Sequence, residues 1–301
     1  MTIGSLLNHA TRAAILAGIL ATGVAVADDN GNGNGNGNGN AHGNDKNGCS
    51  ALPSFSALQG ALAKALKDEN SGLNNQMWAT IVDRDGIVCA VAFSGSDRGA
   101  QWPGSRVISA QKANTANAFS LDSSSSSNGK GQAKGLALST ANLFTAVQPG
   151  GSLYGLQASN PVDPSVAYDG PSSQYGTGND PMVGNKPGGV NVFGGGLGLY
   201  TAGGAIVGGV GVSGDTSCTD HEVAWRTRHY LNLDHLSAVA GVSGDPARPD
   251  NIIYDINANT DGTGGTGQSP TASGGVGTSA SGFGHPKCLN AGDQTKLPAV
   301  Q

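Results

Sequence analysis

The stretch LGLYTAGGAIVGGVGVSGDTSCTDHEVAW, Leu197 to Trp225, decides the fold. It reads without a gap as strand, tight turn, strand, glycine-lined bend and helix start. Glycines recur at Gly203, Gly204, Gly208, Gly209, Gly211 and Gly214, among Ile206, Val207, Val210 and Val212. Glycine inside a strand pattern marks a bulge or a close approach of backbone or ligand. The segment therefore predicts a wall of bare backbone, ending in Asp215, Asp220 and His221, against which a flat or small ligand lies. Thr219, with Glu222 three residues on, predicts the helix start as a capping box.

Working outward, Met77–Val82 and Ile87–Phe93 are β-rich runs joined by Asp83-Arg84-Asp85-Gly86, and Asp85-Gly86 is a strong hairpin turn. Phe55, Leu58, Leu62, Ala65 and Leu66 fall at helical spacing, with Ser56 and Gln59 as a capping box. A second helix is predicted from about Ser105 to Phe119, with Lys112 and Thr115 on one face. Ser123–Gly135 is a low-complexity insertion. A short helix is predicted near Ala137–Val147, and a further strand over Asn251–Ile256. Pro149–Val190 is a long loop read as an ordered cover. The order helix, two strands, helix, cover, two strands, helix suits an α+β layer architecture with an antiparallel sheet.

At the N-terminus, Arg12, an apolar run from Ala13 to Ala27 and the small-x-small Ala25-Val26-Ala27 predict a signal peptide over residues 1–27. Residues 28–48, with alternating Gly and Asn, are a linker that buries no apolar area; His42 and Asp45 within it are weak metal ligands. The domain then spans 49–256, with an insertion at 149–190, and 257–301 is a Gly/Ser/Thr-rich C-terminal extension. The predicted location is periplasmic or secreted. Net charge is −5 and no basic stripe or apolar span follows the signal, which excludes nucleic acid and, after cleavage, membrane as partners. The four cysteines, Cys49, Cys89, Cys218 and Cys288, suit an oxidising compartment and two disulfides. Three pairings are open. Cys49 and Cys288 flank the patterned region and are suited to tying down its ends.

Standard catalytic motifs fail here. His221-Glu222 opens HExxH, but Trp225 stands where the second histidine belongs. Gly211-Val212-Ser213-Gly214 is not the GxSxG elbow. The glycine clusters lack the strand–glycine–helix unit of a dinucleotide site. His221, Trp225 and His229 share a helix face, read as exposed and slightly basic with Arg226 and Arg228.

Together, Ala79–Gly86, the helix motif Gln111-Lys112-Ala113-Asn114-Thr115-Ala116, and Val207–Gly214 followed by Asp220 resemble the GlcG/HbpS family of haem-binding proteins. The resemblance implies a profilin-like layered domain, an antiparallel sheet of about five strands with packed helices, and homo-oligomers. It also implies tetrapyrrole binding, with Thr115 associated with haem iron and Lys112 and Asp220 matching the family's lysine and acidic residue. On this reading haem lies against Gly209, Gly211 and Ser213, facing Thr115 and Lys112, with His221 as the alternative iron ligand and no turnover. A competing reading is binding of, or chemistry on, an organic acid by Lys112 and Asp220. A third is a structural secreted domain.

Overall fold

In the computed structural model, which describes residues 48–124, 135–257 and 277–301, the quoted stretch forms half of one sheet. The signal peptide, nearly all of the linker and parts of the Ser123–Gly135 and Asn257–Gly284 stretches lie outside the described residues. The strands are β1 (Trp78–Asp83), β2 (Val88–Phe93), β3 (Gly196–Thr201) and β4 (Ala205–Ser213). Their order is β2-β1-β4-β3, every pair antiparallel. The turn from β3 to β4 uses Gly203 and Gly204 at positive φ, 85° and 76°, which glycine adopts without a Cβ penalty.

Apolar residues alternate across the sheet, and both faces are covered. Ala79, Ile81, Leu197, Leu199, Val210 and Val212 join a core with helix α1 (Phe55–Lys67) and the later helix α5 (Ser217–Tyr230). Trp78, Val82, Val91 and Phe93 face helix α2 (Ser105–Phe119), packing with its Ala110 and Ala113. The result is three layers, α1 and α5, then the sheet, then α2. The expected α+β class holds, with four strands in this sheet rather than about five. Asn251–Ile256 does not join it. Ile252 donates its backbone N–H to Asn251 Oδ1, and His285 donates to Ile253 O, so those groups are committed elsewhere. Only Ile256–Asn257 pairs, with Thr278–Ser279, in a separate two-stranded patch.

Helix starts shift by a few residues from the sequence reading. The α1 cap is Ser54, which accepts from Ala57 N, and the α5 cap is Thr216, which accepts from Thr219 N. Thr219 sits one turn inside, where its hydroxyl meets Ser71 Oγ at 2.9 Å. The short helix expected near Ala137–Val147 is two 3₁₀ turns, Thr140–Leu143 and Thr145–Val147. There Ser139 N and Oγ both donate to Asn142 Oδ1, the local side-chain bonding that competes with α-helix.

Two further segments wrap this core. The 149–190 segment contains single helical turns, α3 (Leu156–Ser159) and α4 (Pro164–Ala167). A buried ion pair from Arg106 of α2 to Asp180 pins it, with Tyr175 stacked on the guanidinium at 3.6 Å. The C-terminal strap crosses α5: Leu297 is buried, Trp225 Nε1 donates to Pro298 O, and Gln301 N donates to Asp234 O. The α5 face read as exposed is therefore buried at His221, Trp225 and Arg228. Arg228 forms a second buried ion pair, bidentate with Asp250. The disulfides are Cys49–Cys89 and Cys218–Cys288. Each terminal cysteine ties its own end to the core, to β2 and to α5.

Candidate functional site

The sequence-predicted residues do converge, at the crossing of α2, β4 and the start of α5. What lies between them is protein. A Cβ on Gly209 would clash with Ala113 O, and one on Gly211 with Ser109 O and, at 2.5 Å, with Ala113 N. The bare strand thus lets the α2 backbone lie directly on the sheet. This corrects the expectation of a flat surface open to a guest: the close approach the glycines signal is that of a helix. Ser213 ends β4 opposite Trp78 and is buried.

Lys112 reaches across to α5. Its Nζ donates to Asp220 Oδ2 at 2.6 Å and to Val212 O at 3.1 Å, and both side chains are buried. Asp220 Oδ1 accepts from Asp215 N. Burial pushes the Asp220 carboxyl up to about 6 against the pull of Lys112, and burial lowers the lysine. Paired in this way, the ammonium is not free for a ligand carboxylate, which removes the premise of the organic-acid reading.

Thr115 is fully buried on the same helix. Its Oγ1 donates to Gln111 O at 2.7 Å and accepts from Asn191 N at 3.0 Å. The segment 189–196 lies over this crevice. Asn114 Nδ2 donates to Gly189 O, Gly196 N donates to Thr140 Oγ1, and the Thr140 hydroxyl donates to Phe193 O. Gly194 and Gly195 are needed there, since a Cβ would strike Ser217 O from the first and Val212 O from the second. Thr115 is thereby a brace for segment 189–196, with its hydroxyl already committed.

His221 differs from these. It is fully buried, Nε2 lies 3.1 Å from Asn251 Oδ1 and 3.2 Å from Ile252 N, and Nδ1 has no partner. Asn251 Oδ1 can only accept, so Nε2 carries the proton toward it. The Ile252 N–H is then satisfied by the same oxygen at 2.9 Å and not by Nε2, and Nδ1 presents a lone pair, a tautomer assigned from the network. Burial lowers its pKa to about 3, so the ring is neutral at physiological pH, the form that ligates metals. Sequence reasoning missed a second such ring. His285 on the strap is buried, lies tilted against Phe144 with ring centroids 5.1 Å apart and leaves Nε2 unpartnered. Its signal was present: His285 and Cys288 repeat the three-residue spacing of Cys218 and His221. Among the described residues one group of three metal-ligating side chains occurs, Cys49, Asp83 and Cys89, and its sulfurs are joined to each other.

Fold and crevice together define a three-layer α+β domain in which a lysine-bearing helix is laid on a glycine strand and ion-paired to the next helix. The family described as haem degrading protein HbpS-like matches residues 55–228, and the chain belongs to it. Among solved structures it is similar to a haem complex of PduOC (22% identity, 59% of this chain and 91% of that one, TM-score 0.38). It is also similar to the Klebsiella pneumoniae protein ORFY (24%, 60% and 90%, TM-score 0.36). A double mutant of Streptomyces reticuli HbpS gives 17%, 60% and 86%, with a TM-score of 0.31. Among proteins with curated descriptions, none matches.

Proposed function

We propose that this chain is an exported haem- or tetrapyrrole-binding accessory protein that holds its ligand without turning it over. Family membership supports the ligand class. The observation that carries the reading in this chain is the unpartnered Nδ1 of neutral, buried His221 beside the Lys112–Asp220 pair. A neutral imidazole is a common haem ligand. The donor fits the group; the closed crevice does not leave it room, because α2 fills the glycine face and segment 189–196 covers Thr115. Binding on this reading displaces 189–196, with His221 as the iron ligand in preference to Thr115. Export is supported by the Ala13–Ala27 run, the Ala25-Val26-Ala27 site and two disulfides, and no helix among the described residues is long and apolar enough to cross a membrane.

Reconstitution with haem tests this. A Soret shift is expected for the mature chain, lost or displaced in His221→Ala and unchanged in position in Thr115→Ala. No shift in the unaltered chain, or an identical one in His221→Ala, overturns the reading. The family description favours one other outcome, degradation. A Soret band that decays with iron release when a reductant and oxygen are supplied would establish it over simple binding.

A further inference from the structure

The two disulfides sit in opposite electrostatic surroundings. Cys218 is the second residue of the 14-residue helix α5 and is fully buried, while Cys288 on the strap is partly exposed, as are both Cys49 and Cys89, so exposure does not separate the bridges and their electrostatics must. Cys288 Sγ accepts from Cys218 N at 3.3 Å and from the Ser217 hydroxyl at 3.5 Å, and Cys218 Sγ accepts from Cys288 N at 3.1 Å. Backbone N–H groups and the positive end of a helix stabilise a thiolate. The acidic residue of that first turn, Asp220, is neutralised by Lys112. At Cys49–Cys89 the arrangement is reversed. An Asp83 carboxylate oxygen lies within 4.8 Å of both sulfurs, held there by N–H donors from Asp85 and Ile87. Each bridge has one sulfur near a carbonyl oxygen, Cys89 Sγ at 3.5 Å from Ile87 O and Cys218 Sγ at 3.6 Å from Pro286 O, so the carboxylate is what sets the two apart. A thiolate leaving beside a carboxylate is disfavoured.

We propose that Cys218–Cys288 is a thiol-exchange site that dithiol reductants open at Cys288 Sγ in preference to Cys49–Cys89, releasing the strap beside His221. The reductant's thiolate attacks Sγ of Cys288, the partly exposed residue of the bridge, forming a mixed disulfide as the Cys218–Cys288 bond breaks. Cys218 departs with the electron pair as a thiolate at the α5 N-terminus. The reductant's second thiol then displaces Cys288 and leaves as a cyclic or protein disulfide, so the protein gains two electrons and two protons. Cys288 is three residues from His285 and Cys218 three from His221. The bridge therefore fastens the two segments that carry the unpartnered imidazoles.

The test is graded reduction of the full chain with dithiothreitol, alkylation, and mass spectrometry of the cysteine peptides. Cys218 and Cys288 are expected to label about tenfold or more faster than Cys49 and Cys89, following the leaving-thiol dependence of exchange. Asp83→Asn should narrow the gap by speeding Cys49–Cys89. Each bridge is also timed alone, in Cys49→Ser/Cys89→Ser and in Cys218→Ser/Cys288→Ser, so a folding defect in one variant leaves the other informative. Equal rates, or Cys49–Cys89 opening first, overturn the proposal. The release of the strap rests on the haem reading only for its purpose. The labelling order needs no haem, so the two can fail separately.

Discussion

At the scale of single residues, Lys112 shows how burial sets the meaning of a charge. Removing one member of a buried pair leaves the other uncompensated, at a cost of about 3–5 kcal/mol. Lys112→Met is therefore expected to destabilise the chain by an amount of that order at pH 8. Asp220 has a folded pKa raised to about 6 from an ordinary 3.8. A carboxyl raised in this way contributes stability that is full below 3.8 and lost as pH rises through about 6. Without Lys112 that pKa rises further, so the variant's deficit should shrink as pH falls from 8 to 5. Denaturant midpoints of both proteins across that range check it; a deficit independent of pH contradicts the buried pair. The residue types here were legible in sequence, but their partners were not. Nothing local in the helix motif Gln111–Ala116 shows that Thr115 is committed to Asn191, a residue 76 positions away.

At the scale of elements, glycine carries two opposite messages. In β4, Gly211 has the α2 backbone against it, and overpacking costs about 1–3 kcal/mol or more where the neighbour is main chain. Gly211→Ala should sit at or above the top of that range. Gly60, on the exposed side of α1, has nothing within 4 Å of an added Cβ. Gly60→Ala should stabilise by about 0.5–1 kcal/mol through helix propensity. Thermal or urea unfolding of the two variants reads both signs. The strands, the hairpin and α2 were plain from periodicity and turn chemistry. The spacing of glycines told that something approaches β4, without telling whether it was a ligand or a helix, since either needs the same missing side chain.

At the scale of the whole molecule, the chain wraps its sheet and helices with segments pinned by buried arginine–aspartate pairs, Arg106–Asp180 and Arg228–Asp250. This is where sequence reading failed most. His221, Trp225 and Arg228 looked like a wet helix face because what covers them lies downstream without periodicity of its own: Asp250 to Ile252 against Arg228 and His221, and Pro298 of the strap, 73 residues on, against Trp225. Leu297, 1% exposed, is the strap's apolar anchor. Leu297→Ala is expected to lower stability by about 2–5 kcal/mol, the range for a buried leucine, and to raise the exchange of α5 amides. A surface leucine's near-zero effect would contradict the strap.

On the haem reading, α2 lies on the glycine strand, segment 189–196 closes over Thr115, and ligand entry displaces that segment. Hydrogen exchange of the purified mature chain, followed peptide by peptide with and without haem, tests this most directly. The amides of Asn191 and Gly196, bonded to Thr115 and Thr140, should exchange slowly in the free protein and lose protection when haem is bound. Rapid exchange in the free protein, or protection unchanged in a chain whose Soret band has shifted, would contradict it.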